Sequence, residues 1–279
     1  MKTTHGFSIL EETELPEHRA TGVWARHEGS GCEFFHVRND DPENLFAFAF
    51  KTLPSDSTGV AHILEHTVLC GSRRFPVKDP FVMLMRGSLS TFVNALTYPD
   101  KTVYPASSTV PQDLFNIMQV YGDAVFFPLL RKEFFQQEGH RLFWNEAGDL
   151  SVSGIVYNEM KGNYATHDAL VGEWSYRSLL PDTPYGYDSG GNPAEIVELT
   201  YEDFVGFHRT YYHPSNTRVF AYGNIDTDEY LDLLNRHFLS HFGRLELSLD
   251  VPRQPRWSAP REHTVTCASD GEGPTSVTM

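Results

Sequence analysis

The most constraining feature of this chain is the run HILEH at residues 62–66, which has the pattern H-x-x-E-H. On an α-helix, His62 and His66 project from one face a turn apart, and Glu65 shares that face because it lies three residues after His62. Two imidazole nitrogens at this spacing suit a zinc ion, and the glutamate can serve as a base instead of a ligand. The order is the inverted form of the zinc-peptidase motif H-E-x-x-H.

The residues around this run decide between a metal site and two commoner alternatives, a histidine pair on a solvated surface or in a satisfied core. The flanking residues are apolar on both sides, which predicts a helix that is buried nearly all round. Ionisable side chains in such a helix need a partner such as a metal ion. Residues 56–58 offer an N-cap and Gly71 a C-terminal stop. Cys70, four residues after His66, is interpreted as a small packed residue rather than a further ligand.

Composition narrows the class of protein. The chain has 279 residues, 40% of them hydrophobic, which is enough for the core of one large domain or two small ones. The formal net charge of −15 argues against a nucleic-acid partner, which requires clustered Lys and Arg. An acidic cleft would attract cationic peptides, although the same excess could form an ordinary solvated surface. The 3 cysteines are odd in number and widely spaced, so no disulfide framework is expected.

The chain contains no run of about 18 apolar residues, so we expect no membrane partner. Its first residues, MKTTH, lack the apolar stretch of a secretory signal. We therefore expect an intracellular protein, either cytoplasmic in a bacterium or in an organellar matrix after removal of a targeting segment.

Short apolar runs separated by polar breaks predict an antiparallel sheet in the first part of the chain. Residues 22–25, 33–37 and 45–50 have the composition of strands, and the NDDP cluster at 39–42 predicts a hairpin turn between the last two. A second hairpin is predicted within residues 89–107.

The later segments alternate helices with one further strand. We expect a helix at 111–127, a helix followed by an extended aromatic segment at 129–146, a helix at 155–164, a loop at 181–193, a helix near 200–211, a strand at 218–223 and a closing helix at 226–238. Hairpins followed by interleaved helices predict an α+β fold, a mostly antiparallel β-sheet flanked by helices.

The last part of the chain is expected to lie outside this domain. Prolines punctuate residues 251–263, which predicts a linker after a domain that spans residues 1–250. A strand is predicted to start at residues 264–267 and to open a further unit. The sequence stops without a terminating signal, so we expect a truncated chain.

A catalytic zinc usually has three protein ligands and a water molecule, so two histidines require a third donor. The downstream candidates are Glu133, Glu138, His140, Glu146 and Glu159. Glu159 is the strongest, because it belongs to a mostly apolar predicted helix in which a lone carboxylate needs a partner. Glu138 and His140 belong to a polar run that solvent can satisfy.

Five motifs, in this order, carry a resemblance to a known family: HILEHTVLCGSRRFPVKDPF, STFVNALTYPDKTVYP, GIVYNEMKG, YGYDSGGNP and FHRTYYHPSN. The chain resembles the presequence-protease branch of the pitrilysin/insulinase family of zinc metallopeptidases. The similarity extends from about Gly6 to the end of the chain, and the length and order of the motifs make it specific.

The resemblance implies a zinc-dependent endopeptidase or oligopeptidase that degrades unfolded peptides, basic targeting peptides among them. It implies that His62, His66 and Glu159 bind zinc and that Glu65 is the general base. Family members often carry another glutamate seven residues before the third ligand, but Val152 occupies that position here, which leaves the support of the zinc helix open.

The resemblance also assigns a role to the strand that ends at Asn94 and Ala95. Its edge would accept the substrate as an added β-strand, so that main-chain hydrogen bonds hold an extended peptide. Asn94 would then position the scissile amide, whereas the residues alone allow a structural role beside a turn.

Relatives in this family are several times longer and form two halves around a chamber, and the far half supplies an Arg and a Tyr to the site. This chain resembles the first unit only, so the partners it implies are a peptide substrate and the absent C-terminal half, with self-association through the uncovered surface as a further expectation. The alternative is a non-catalytic zinc- or peptide-binding scaffold of the same fold, against which the intact Glu65 argues.

Overall fold

A computed structural model of the chain describes residues 2–78 and 80–266, apart from the side chain of Met85. Its strands are Thr3–Thr4 (β1), Phe7–Leu15 (β2), Ala20–His27 (β3), Glu33–Arg38 (β4), Asn44–Lys51 (β5), Ser90–Val93 (β6), Leu96–Thr97 (β7), Lys101–Ser108 (β8), Arg141–Trp144 (β9), Leu150–Ser153 (β10) and Thr217–Gly223 (β11). Its α-helices are Val60–Val68 (α1), Pro80–Gly87 (α2), Pro111–Phe126 (α3), Lys132–Glu138 (α4), Ile155–Asn163 (α5), His167–Leu179 (α6), Pro193–Ile196 (α7), Tyr201–Tyr211 (α8) and Thr227–His237 (α9).

Within the described residues, nine of the strands form one sheet in the order β1-β2-β3-β4-β11-β5-β8-β6, with β7 also paired to β8. Only the β4–β11 pair is parallel, and the other pairs in this part of the chain are antiparallel. The strands β9 and β10 form a separate antiparallel ribbon. The predicted α+β class, a mostly antiparallel sheet flanked by helices, is confirmed.

The core lies between one face of the sheet and the helices. Phe46, Phe48 and Phe50 alternate along β5, are buried and belong to the same cluster as side chains of α1, α3 and α9. The ring of Phe46 lies 5.8 Å from that of Tyr121 on α3, in an edge-to-face arrangement. Such alternation is typical of a sheet with one covered face.

One predicted connection is wrong. The NDDP cluster at residues 39–42 does lie between β4 and β5, but these strands do not form a hairpin, because β11 lies between them and pairs with both. Turn composition indicates that the chain changes direction, and it carries no information about a strand from much later in the chain that enters the gap.

The N-terminus of α1 also differs from the prediction. Gly59 precedes the helix with a φ of 69°, and none of residues 56–58 caps it with a side chain. The carboxylate of Asp56 instead accepts a hydrogen bond from the backbone N–H of Thr58 at 2.9 Å, which stabilises the preceding turn. The helix begins from a left-handed glycine because the chain there passes directly against residues 190–191.

We expect Gly59→Ala to destabilise the protein by about 1–3 kcal/mol, because alanine is strained at positive φ and its Cβ would meet the carbonyl oxygen of Gly190 at 2.7 Å. Gly162→Ala, in α5, is the matched control: nothing lies within 4 Å of the added methyl group, so this change is expected to be neutral or slightly stabilising. Urea unfolding midpoints of both variants measure the difference, and equal midpoints would contradict the tight approach.

The segment after α9 contains a short 3-10 helix, Leu239–His241, and then neither helix nor strand as far as residue 266. It is nevertheless attached to the domain, because Gln254 and Asp182 exchange two hydrogen bonds of 2.9 and 2.6 Å. The strand predicted at residues 264–267 is absent from 264–266, and residue 267 lies outside the described residues, as do 268–279. The domain boundary at residue 250 stays a prediction.

Candidate metal centre

Helix α1 brings the two histidines of the motif side by side. The ring centroids of His62 and His66 lie 4.9 Å apart. The Nδ1 atom of His62 lies 3.0 Å from the carbonyl oxygen of Gly190, and that of His66 lies 3.2 Å from Oε2 of Glu138. Because both Nδ1 atoms have acceptors, each ring can keep its proton there and leave Nε2 unprotonated for a metal ion.

The third member of the site comes from α5. Oε2 of Glu159 lies 3.7 Å from Nε2 of His62 and 3.9 Å from Nε2 of His66. Donor atoms of these three residues all lie within 4.8 Å of one another, and no other such group of His, Cys, Asp and Glu occurs in the part of the chain that the structure describes.

These residues fit a zinc ion. Four ligands at about 2.0–2.2 Å from tetrahedral zinc lie roughly 3.3–3.6 Å from each other, close to the spacing between Glu159 and the two histidines. Their donors, two imidazoles and one carboxylate, are those of catalytic zinc sites with an open fourth position. The side chain of Glu159 is 48% exposed, so the site can be reached from solvent.

Glu138 contradicts the prediction that its segment is solvated. It lies at the end of α4, is buried, and contacts both His66 and, at 2.9 Å, the side-chain amide of Gln137. The sequence missed this because the burial of Glu138 follows from the packing of α4 against α1. The thiol of Cys70, just beyond α1, lies 3.7 Å from the Glu138 carboxylate and outside the group of three donors.

The carboxylates around His66 favour positive charge at this point. Burial lowers the pKa of His66, but the hydrogen bond to Glu138 and the charges of Glu65, Glu138 and Glu159 outweigh it, so that the net shift is upward. Burial raises the pKa of Glu138, but the hydrogen bonds from His66 and Gln137 outweigh it, and the net shift is downward. A cation is therefore stabilised beside His66.

The remaining candidates for the third ligand lie elsewhere. His140 Nε2 lies 3.0 Å from the carbonyl oxygen of Leu199. Glu133 and Glu146 are exposed and stand outside the group of three donors. Val152, at the position where family members often carry a glutamate, lies in β10. The buried carboxylate that contacts a motif histidine is instead that of Glu138, on α4.

Glu65 lies next to this group without belonging to it. It is buried on α1, and its Oε2 accepts a hydrogen bond of 2.7 Å from the hydroxyl of Thr97 on β7. The sequence did not indicate Thr97, since the contact depends on how the β7–β8 hairpin packs on α1. One oxygen of Glu65 is thus held by the sheet.

A cavity of about 300 Å³ opens beside the donors. It is lined by Glu65, His66, Leu69, Cys70, Phe81, Val82, Asn94, Ala95 and Glu138. Its lining combines two carboxylates with several apolar side chains. A larger depression of about 480 Å³, on the face of the sheet opposite the helices, is lined mainly by apolar groups such as Trp24 and Phe220 and lies away from the three donors.

Asn94 and Ala95 follow directly after β6, which stands at the end of the sheet order. The carbonyl oxygen of Asn94 accepts a hydrogen bond of 3.1 Å from the hydroxyl of Tyr121, and its side-chain oxygen accepts one of 2.9 Å from the N–H of Ala95. Both residues line the cavity beside Glu65. The structure therefore brings them next to Glu65 and His66, and their role in binding a substrate stays a prediction.

Comparison with known proteins agrees with this arrangement. Residues 53–153 match the family described as "Insulinase (Peptidase family M16)", and residues 198–275 match "Peptidase M16 inactive domain". The chain is 45% identical over 287 residues to the presequence protease, mitochondrial, of Xenopus laevis, covering 100% of this chain and 28% of that protein. It is 46% identical over 270 residues to the protein of the same name from Mus musculus, covering 95% of this chain and 26% of that protein.

A solved structure supports the fold. The crystal structure of pitrilysin superposes with a TM-score of 0.66 at 20% sequence identity, covering 92% of this chain and 26% of that one. The chain thus spans only about a quarter of the length of the relatives it matches. Its similarity to the presequence proteases extends over nearly all of its own residues, and it belongs to the insulinase family of peptidases, family M16.

Proposed function

We propose that this chain is the zinc-binding portion of a metalloendopeptidase that cleaves unfolded peptides. The observation that carries the proposal is the convergence of His62, His66 and Glu159, next to a cavity lined by His66 and Glu65. Membership of a peptidase family supports the reaction class. The zinc ion and the substrate are part of the proposal.

The residues of the site have separate roles in the proposed reaction. His62, His66 and Glu159 would hold the zinc ion, which would supply Lewis-acid chemistry to a water molecule and a peptide carbonyl. Glu65 takes a proton from the attacking water and delivers it to the leaving amine. The Thr97 hydroxyl holds Oε2 of Glu65, so that Oε1 carries the proton.

An extended substrate fits the outer edge of β6. Within the described residues this strand pairs with β8 alone, so its other edge can accept a peptide as an added strand. Asn94 and Ala95 then place the scissile bond beside Glu65, and an apolar side chain of the peptide enters the cavity against Leu69 and Phe81. Main-chain binding of this kind gives weak sequence selectivity.

Basic peptides are the favoured substrates. The chain has a formal net charge of −15, and three carboxylates surround His66. Two relatives are named presequence proteases, which points to targeting peptides as one class, and their mitochondrial designation favours an organellar matrix, with bacterial cytoplasm as the alternative compartment. Among the described residues no helix is both long and apolar enough to span a membrane.

We expect the 279-residue chain to bind about one zinc ion and to hydrolyse peptides slowly, because it spans about a quarter of its relatives and the remainder of such a polypeptide would enclose the substrate. Elemental analysis and a fluorogenic basic peptide measure the two properties. A kcat/KM within the range of about 10⁴–10⁸ M⁻¹s⁻¹ found for complete enzymes would contradict the need for a second half. Absence of zinc after reconstitution would favour a peptide-binding scaffold instead.

A further inference from the structure

A loop at residues 188–192, called the support loop below, holds one of the two histidines. The carbonyl oxygen of Gly190 accepts a hydrogen bond of 3.0 Å from Nδ1 of His62. This contact selects the tautomer of His62 that has a lone pair on Nε2, and it fixes the plane of the ring. The position of Gly190 therefore decides where Nε2 of His62 points.

Asp188 organises the support loop from inside the protein. Its side chain is buried, and Oδ1 accepts a hydrogen bond of 2.8 Å from the N–H of Gly190. Its own N–H donates to the hydroxyl of Ser57 at 3.1 Å, and the N–H of Asn192 donates to the carbonyl oxygen of Ser57 at 2.8 Å. Both ends of the loop are thus attached to the segment that leads into α1.

The second oxygen of Asp188 connects this loop to the helix that carries the carboxylate donor. Oδ2 accepts a hydrogen bond of 2.7 Å from the hydroxyl of Tyr164, the C-cap residue directly after α5. Met160 of the same helix lies so close to the loop that a Cβ on Gly190 would be 3.0 Å from its Cε. The side chain of Glu159 is partly exposed. The position of its carboxylate therefore depends on where helix α5 lies.

We propose that Asp188 and Tyr164 are positioning residues of the candidate metal centre, whose hydrogen bond fixes the support loop behind His62 relative to helix α5 and Glu159. The inference rests on the proposed function, since it assigns these residues to the same site. Neither touches the donors: Asp188 acts through Gly190, and Tyr164 acts through α5. A change in either residue alters the distance between Glu159 and the histidines without removing a ligand.

The test compares zinc and cobalt binding by the wild-type chain and by Tyr164→Phe, which removes one hydroxyl and keeps the ring. We expect zinc affinity, measured by competition with a chromophoric chelator, to fall about 10-fold, the lower end of the range for residues that orient metal ligands. The absorption spectrum of the cobalt(II) form, which reports the geometry around the metal, should also change. Asp188→Asn, which keeps the shape of the side chain, should act in the same direction.

Tyr176→Phe is the matched control, because Tyr176 lies on α6 and is 62% exposed. It should leave zinc affinity and the cobalt spectrum unchanged. If Tyr164→Phe lowers only the thermal midpoint, and the folded chain binds metal as the wild type does, the residue stabilises the fold and the inference is overturned. If the wild-type chain binds neither metal after reconstitution, the proposed function fails and the inference fails with it, so the two failures are distinguishable.

Discussion

Glu65→Gln is expected to lower the rate of peptide hydrolysis by a factor of about 10²–10⁴ while zinc stays bound. Glutamine has nearly the same shape, and its amide oxygen can still accept the hydrogen bond from Thr97, but it cannot take a proton from water. Because Glu65 lies outside the group of three donors, its loss leaves His62, His66 and Glu159 in place. Product formation at high protein concentration, followed by chromatography, measures even the slow cleavage expected of this chain.

The control for this variant is Glu146→Gln, which also removes one carboxylate but changes an exposed residue outside the group of three donors. It should cleave at the wild-type rate. Zinc content of both variants, determined on the same samples, separates loss of the base from loss of the metal. A Glu65→Gln chain that retains more than about a tenth of the wild-type rate would place the base on another residue.

The motif helix was predictable because its information is local. The spacing of His62, Glu65 and His66, with apolar neighbours, fixes both the helix and the face that carries the three side chains. The β7–β8 hairpin and helix α3 are confirmed for the same reason, since period and turn composition are properties of adjacent residues.

Contacts between distant segments were not predictable in this way. The position of β11 between β4 and β5 and the burial of Glu138 both depend on packing, and a single sequence does not encode packing in its periodicity. Gly190 contributes only a backbone carbonyl, which no residue pattern reveals. The strand β2 was missed because it carries Glu11, Glu12 and Glu14, three exposed residues of low strand propensity.

Glu138 contacts His66 and is therefore the main alternative to Glu159 as the third zinc ligand. Two substitutions distinguish these alternatives. Glu159→Gln and Glu138→Gln each remove one negative charge that acts on His66. Glutamine at 138 can still accept the hydrogen bond from Nδ1 of His66, whereas glutamine at 159 offers zinc a poor donor. We therefore expect Glu138→Gln to weaken zinc binding about 10-fold and Glu159→Gln to weaken it about 100-fold or more.

Chelator competition at one pH, with Glu146→Gln as the unaffected reference, gives the order of the three affinities. The expected order follows from geometry: Oε2 of Glu159 faces Nε2 of both histidines at 3.7 and 3.9 Å, whereas Glu138 contacts the Nδ1 side of His66 alone. Nε2 is the nitrogen left for the metal, so a carboxylate behind Nδ1 orients the ring and cannot share the ion in this conformation. If Glu138→Gln instead costs more than Glu159→Gln, the assignment of Glu159 as the third ligand is wrong.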